Sequence, residues 1–260
     1  MLMTEEIRKY NSDLLKGTGL IQETLLLLDI YHSGIPKNKF IEEVIESNVL
    51  VKSHNNRIKD IIEHVFYRRY VNYNEDAVVA LKYLREKHIG LEILNQLLLV
   101  YTCRKNLILF DFITEVYQKL VSQGTSVLPQ NAAKEFIEES IKNGNIEKAW
   151  ADSTKRKVAE HINACLIDFK LTDRQKNLLP LFLSDTVTNY LAHELHFRGY
   201  SDEAIISAEE WRLFGYDRYD TIRHLERLAI QGHFIFQYSG ELVKITWHYN
   251  NMKELIDAIR

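Results

Sequence analysis

Cysteine, proline, net positive charge and long apolar runs are all scarce in this chain, and each shortage removes a class of protein. Only 2 cysteines occur, Cys103 and Cys165, both inside apolar helical patterns. They suit buried free thiols in a reducing compartment, not a disulfide framework or a zinc site. The 3 prolines, set among abundant leucine, isoleucine, glutamate and lysine, favour helices. Lys and Arg total 33 against 36 Asp and Glu, a net charge of −3. The whole molecule is therefore no polycation, and any nucleic-acid contact needs basic residues gathered on one face. A membrane helix needs roughly 20 apolar residues, yet even Leu91–Tyr101 is broken by Glu92, Asn95 and Gln96. The first residues, Met-Leu-Met-Thr-Glu-Glu-Ile-Arg, carry no apolar signal core. A cytoplasmic protein is expected.

What is present reads as a mainly α, multi-helix protein. Of its 260 residues 46% are hydrophobic and 27% charged, ordinary values for a globular fold of one or two domains. Apolar spacing and punctuation predict helices at Leu20–Tyr31, through Phe40–Ile45, after Ser53, and at Asp76–Lys87, Leu91–Cys103 and Asn106–Val121. Gln123–Gln130, with Gly124 and Pro129, is the best linker candidate. Helices follow at Asn131–Lys142, Lys155–Ile167 (capped by Ser153 or Thr154), Thr172–Phe182, Asp185–Phe197, Asp202–Phe214 and Arg218–Gln231. His233–Tyr238 and Glu241–Trp247 look like strands joined by Ser239-Gly240. The expected organisation is a helix-turn-helix-like N-terminal domain over 1–75, a central helical region over 76–125, and a C-terminal helical domain over 126–260 ending in a winged-helix-like unit.

Three constellations are candidates for phosphate or base contact. In a helix-turn-helix the second helix meets the major groove with its N-terminal residues. Here those are Ser53, Asn55, Asn56, Arg57 and Lys59. Asparagine suits adenine, arginine suits guanine, and serine suits phosphate. Ile58, Ile61, Ile62, Val65 and Phe66 fall on one helical face, which also fits an ordinary three-helix core. Asp60 and Glu63 restrict contact to the first turn. The second constellation is the helix–hairpin order of Ala204–Trp247, with Arg218, Arg223 and Arg227 on the helix and Gln237 and Lys244 on the hairpin. Such units also serve as protein-interaction modules. The third is Ser153-Thr154-Lys155-Arg156-Lys157, a basic first turn that opposes the helix dipole unless an anion neutralises it.

Catalytic and metal signals are weak, so neither catalytic nor metal residues are assigned and no cofactor is expected. His193-Glu194-Leu195-His196 has one residue too few for a zinc-protease motif and reads as a solvated helix face. No Gly-rich phosphate loop or nucleophile elbow is present.

Gly19-Leu20-Ile21-Gln22-Glu23, then Asn48-x-Leu50-x-x-Ser53-x-x-x-Arg57, and later Trp150 through Ser153-Thr154-Lys155-Arg156, resemble the BrxA family of accessory proteins in bacterial BREX phage-defence systems. The resemblance spans nearly the whole chain. It implies a compact, non-enzymatic helical protein with winged-helix-like elements. The implied partners are double-stranded DNA and other BREX defence proteins. The family has also been compared with the antitermination protein NusB, which implies RNA binding, and labelled an inner-membrane protein, which the hydropathy here contradicts. It supplies no catalytic residues to carry over. Two other roles stay open: a protein-interaction adaptor within the defence complex, and a NusB-like RNA binder. No heptad seam is visible, so a monomer is expected.

Overall fold

Helix boundaries follow the apolar spacing through most of the chain. The computed structural model describes residues 8–51, 54–148, 150–240 and 242–259. Helix α1 (Ile21–Ile30) buries Leu25, Leu27 and Leu28, and α2 (Lys37–Ser47) buries Phe40, Ile41 and Val44. After a turn through Asn48, whose φ of 50° ends α2 in the left-handed region, α3 covers residues 55–71. It begins α-helical (Asn55–Asp60) and widens into a π-helix (Ile61–Val71). The stripe Ile58, Ile61, Ile62, Val65 and Phe66 is entirely buried. Rings of Tyr31, Phe40 and Phe66, with centroids 5.6–5.7 Å apart, lock the three helices together.

Arg69 is buried and donates to the Thr18 and Gly17 carbonyls. The wider π-helical turn carries Arg69 along with Tyr67 and Tyr70 inward.

Helix α4 (Glu75–Glu86) starts from an Asn74 cap, and α5 (Leu91–Lys105) is buried over most of its circumference, as a central helix must be. Helix α6 spans residues 107–122, with a π-helical middle at Phe112–Tyr117. The stretch expected as a linker is clamped: Leu128 N–H donates to the Lys176 carbonyl (2.9 Å) and Leu178 N–H to that of Ser126 (2.8 Å). Helices α7 (Ala132–Lys142) and α8 (Asp152–Asp168) pack as a pair.

The helix expected over Thr172–Phe182 does not form. Lys170 and Lys176 sit at φ 57° and 66°. Asp173 Oδ1 accepts from Asn177 N–H (2.8 Å), and isolated bridges join Thr172 to Leu178 and Val127 to Asn177. A side chain that bonds its own backbone competes with the helix, and Pro180 disfavours helix continuation through Leu179.

Helix α9 (Asp185–Phe197) starts at its Ser184 cap. The helix expected over Asp202–Phe214 is broken into α10 (Asp202–Ile206) and a 3₁₀ segment (Glu209–Phe214). Gly215 then turns the chain at φ 75°, where a Cβ would also meet the Gln118 side chain at 2.9 Å. Helix α11 (Arg218–Ile230) opens with a reciprocal Asp217/Asp220 capping box. Strands β1 (Phe234–Ser239) and β2 (Leu242–Trp247) pair antiparallel, from Phe234 opposite Trp247 to Ser239 opposite Leu242. The turn therefore follows Ser239 instead of including it. Helix α12 (Met252–Ala258), not expected from the sequence, packs on both α9 and α4.

The fold is thus mainly helical with one small hairpin. A continuous apolar core draws residues from every stretch between Leu14 and Ile256. Among the described residues no helix is long and apolar enough to cross a membrane.

Candidate nucleic-acid interface

Helix α3 begins at Asn55, with His54 as its N-cap residue and no side-chain cap bond. Ser53, expected as the cap and a phosphate contact, lies outside the described residues. Asn55, Asn56, Arg57 and Lys59 are all exposed around buried Ile58. Arg57 Nη1 donates to the Lys16 carbonyl (3.1 Å), which orients the guanidinium without neutralising it. Glu63 is drawn toward Lys37 (3.6 Å) and Asp60 toward His64 (3.8 Å). Arg57 has that one carbonyl bond, and no carboxylate pairs with Arg57 or Lys59 among the described residues.

At α8 the expectation needs correction. The N-cap is Ala151, whose carbonyl accepts from Thr154 N–H (2.8 Å) and Lys155 N–H (3.0 Å). Ser153 and Thr154 lie inside the first turn and cap nothing. The anion that offsets the basic turn is internal: Lys155 Nζ lies 2.9 Å from Glu138 and 2.8 Å from Asp152. Those carboxylates hold its ammonium above the usual lysine range. Arg156 reaches Glu160 at 3.8 Å. Lys157 is exposed, with no carboxylate within 4.0 Å among the described residues.

The arginines of α11 are engaged in the same way. Arg218 forks onto Glu203 at 3.0 Å, Arg223 pairs with Asp220, and Arg227 pairs with Asp185. On the hairpin, Lys244 lies opposite Gln237, and both are exposed. Phe234 and Ile245 are buried, while Ile235 and Leu242 are 51% and 78% exposed. Gln237 and Lys244 thus project from the hairpin to solvent. The three arginines beside them already have partners.

Two features escaped the sequence. His193, read as solvated, is fully buried. Its ring lies among Phe234, Trp247 and Tyr249, and Nδ1 bonds the Asn189 carbonyl at 2.9 Å. Burial pushes its pKa down to about 4. His196 stacks on Trp247 with centroids 4.5 Å apart. The pair therefore roots the hairpin on α9. Among the described residues no three His, Cys, Asp or Glu side chains converge as a metal site would. Cys103 and Cys165 are free and buried, and burial pushes both thiols up.

The second feature surrounds Tyr73, in the turn between α3 and α4. Arg104, Lys105 and Arg198 all lie over its ring, 5.0–5.2 Å from the centroid. Arg104 is buried and held by Glu194 (2.8 Å) and Glu210 (2.9 Å), joining α5, α9 and the 3₁₀ segment. A tyrosine after a polar turn gave no sign of this, because its cations come from residues 31 to 125 positions later.

Fold and surface together define a mainly helical protein with an exposed polar helix start and a hairpin rooted on a buried histidine. The BrxA family model matches residues 8–194, and the chain belongs to that family, which associates it with BREX defence systems. The chain is also similar to the crystal structure of an uncharacterized protein from Magnetospirillum magneticum. The TM-score is 0.60 at 15% identity, over 79% of this chain and 98% of that one. At that identity the likeness shows the fold alone. Comparison with curated proteins gave no match.

Proposed function

We propose that this protein binds double-stranded DNA, with weak sequence preference, as a non-enzymatic accessory protein of a BREX defence system. One observation carries the reading: Asn55, Asn56, Arg57 and Lys59 stand exposed at the start of α3, and no ion pair ties down either cation among the described residues. A helix start offers backbone N–H groups and a positive dipole end to phosphate, and amide and guanidinium groups reach base edges. Lys157 and Lys244, exposed and without an ion-pair partner among the described residues, are further cations for phosphate contact. The α10–β2 region is read as a winged-helix-like unit.

The test is a salt titration of binding to random-sequence duplex DNA by the purified chain. Phosphate neutralisation releases counterions, so log affinity should fall linearly with log salt, by about 0.9 per phosphate contacted. Absence of binding at low salt would overturn the reading, as would preference for single-stranded RNA in competition. The hairpin side supports a second role in protein docking: Ile230 is 88% exposed and Leu242 78%, while the nearby arginines are already paired.

A further inference from the structure

We propose that the segment Asp13–Gly19 joins α3 and α8 into one surface for the DNA backbone, and that Lys16 on it is a further phosphate contact. The proposal rests on the DNA-binding reading above and adds a residue and a path to it.

The segment opens with a 3₁₀ turn, Asp13–Lys16, and is fastened to both helices along its length. On the α3 side, Arg57 Nη1 donates to the Lys16 carbonyl (3.1 Å), Arg68 pairs with Asp13, and Arg69 donates to the Gly17 and Thr18 carbonyls. On the α8 side, His161 Nδ1 bonds the Leu14 carbonyl at 2.9 Å, and Gly19 N–H donates to Asp168 Oδ2 at 2.8 Å. Two glycines permit the close fit. A Cβ at Gly17 would meet Val65 at 2.6 Å, and one at Gly19 would meet Asp168 at 2.6 Å. Leu14 is buried in the core, while Lys16 is exposed.

This fastening fixes which cations are neighbours. Arg57 touches the Lys16 backbone. Lys157 stands one turn before His161 on the same face of α8, about 6 Å along the helix axis, and His161 holds the carbonyl of Leu14, in the same short turn as Lys16. Arg57, Lys16 and Lys157 are all exposed, and none has a carboxylate within 4.0 Å among the described residues. The carboxylates around them are committed elsewhere. Asp13 serves Arg68, and Glu160 lies 3.8 Å from Arg156. Asp168 serves the Gly19 N–H, about 16 Å along α8 from Lys157.

Three cations spread across the segment fit a chain of phosphates better than a single small anion. Each strand of duplex DNA carries a charge about every 3.4 Å of helix axis, so such a row meets successive backbone groups whatever the bases are. Contacts of this kind set position and carry no sequence information, which agrees with weak sequence preference.

The experiment reads lysine protection and salt slope together. The full chain is acetylated with an amine-reactive reagent, with and without random-sequence duplex DNA at low salt, and each lysine is followed by mass spectrometry. Lys253, on α12, is the reference. DNA binding is then titrated across salt for wild type, Lys16→Gln, Lys157→Gln and the pair; both side chains are exposed, so the fold is retained. DNA should slow acetylation of Lys16 and Lys157 together and leave Lys253 unchanged. Each single variant should lower the salt slope by about 1 and the pair by about 2. Binding with Lys16 acetylated at its free rate, or with unchanged slopes, overturns this surface and leaves the DNA reading standing. Protection of Lys16 without Lys157 overturns the joining of the two helices. Absence of duplex binding at low salt overturns the DNA reading and this surface with it.

Discussion

The α2–α3 region and the α10–α11 region with its hairpin differ in how they are anchored and charged. At the N-terminal end, α3 is held by Arg69, bonded to two backbone carbonyls, and its leading cations face no carboxylate among the described residues. At the C-terminal end, α11 and the hairpin are rooted on a buried neutral histidine, and Arg218, Arg223 and Arg227 all face carboxylates. A count of basic residues would rank the second region higher. Counting only unneutralised groups reverses the order, because a paired arginine presents little net field to an approaching phosphate.

The anchoring difference predicts unequal responses to acid. His193 has a folded value of about 4 against an ordinary 6.5. The unfolded chain therefore takes up a proton first as pH falls. The neutral site contributes fully above pH 6.5, and its contribution is lost as pH falls from 6.5 toward 4. The loss amounts to about 3 kcal/mol. His196 and His233 are lowered by burial in the same direction. Hydrogen exchange at pH 7 and pH 5 should show α9, α11 and the hairpin loosening while α1–α3 hold. His193→Gln should flatten the pH dependence of urea unfolding. Equal loosening of both ends would break the comparison.

The charge difference predicts unequal effects on DNA. Arg57→Glu/Lys59→Glu should weaken duplex binding at low salt by about tenfold or more and flatten the salt slope by about 2. Arg223→Glu, which also repels Asp220, should change binding by less than about threefold, since the arginine it replaces was already matched. Filter binding or anisotropy at several salt concentrations reads both. A larger effect at Arg223 would move the interface to the C-terminal unit.

Much of this was legible in the sequence, and the exceptions share a cause. Apolar spacing located α1, α4, α5 and α9 to within about two residues, because burial on one face writes itself into local periodicity. Asn56, Arg57 and Lys59 were found as exposed positions from the same helical spacing. The side-chain bonding of Asp173, which competes with helix, was local but ambiguous until its pairing with residues 126–128 was visible. Partners distant in the chain were hidden altogether. Lys155 meets Glu138 across a helix pair, Arg227 meets Asp185 across 42 positions, and His193 meets Trp247 only when the hairpin folds back. Sequence spacing gives a side chain's face, not what arrives opposite it.

Asp185 offers the finest test of whether α11's arginines are silent by pairing or by position. It stands in the first turn of α9 and accepts from both Arg227 and Gln231 (3.1 Å). Asp185→Asn keeps the shape and one acceptor but removes the charge. The variant forfeits an exposed ion pair, a contribution of roughly 0–1 kcal/mol, and a favourable charge at a helix N-terminus, roughly 0.3–1 kcal/mol. It therefore folds with modestly reduced stability, readable by urea titration. Its net charge rises by one and Arg227 is released toward solvent. If the α11 surface faces DNA, affinity at low salt should rise about two- to threefold and the salt slope should steepen by up to about 1. If affinity stays flat while stability drops, α11 lies away from DNA and its arginines are structural. The contrast with α3 would then be one of position in the fold, with neutralisation only its accompaniment.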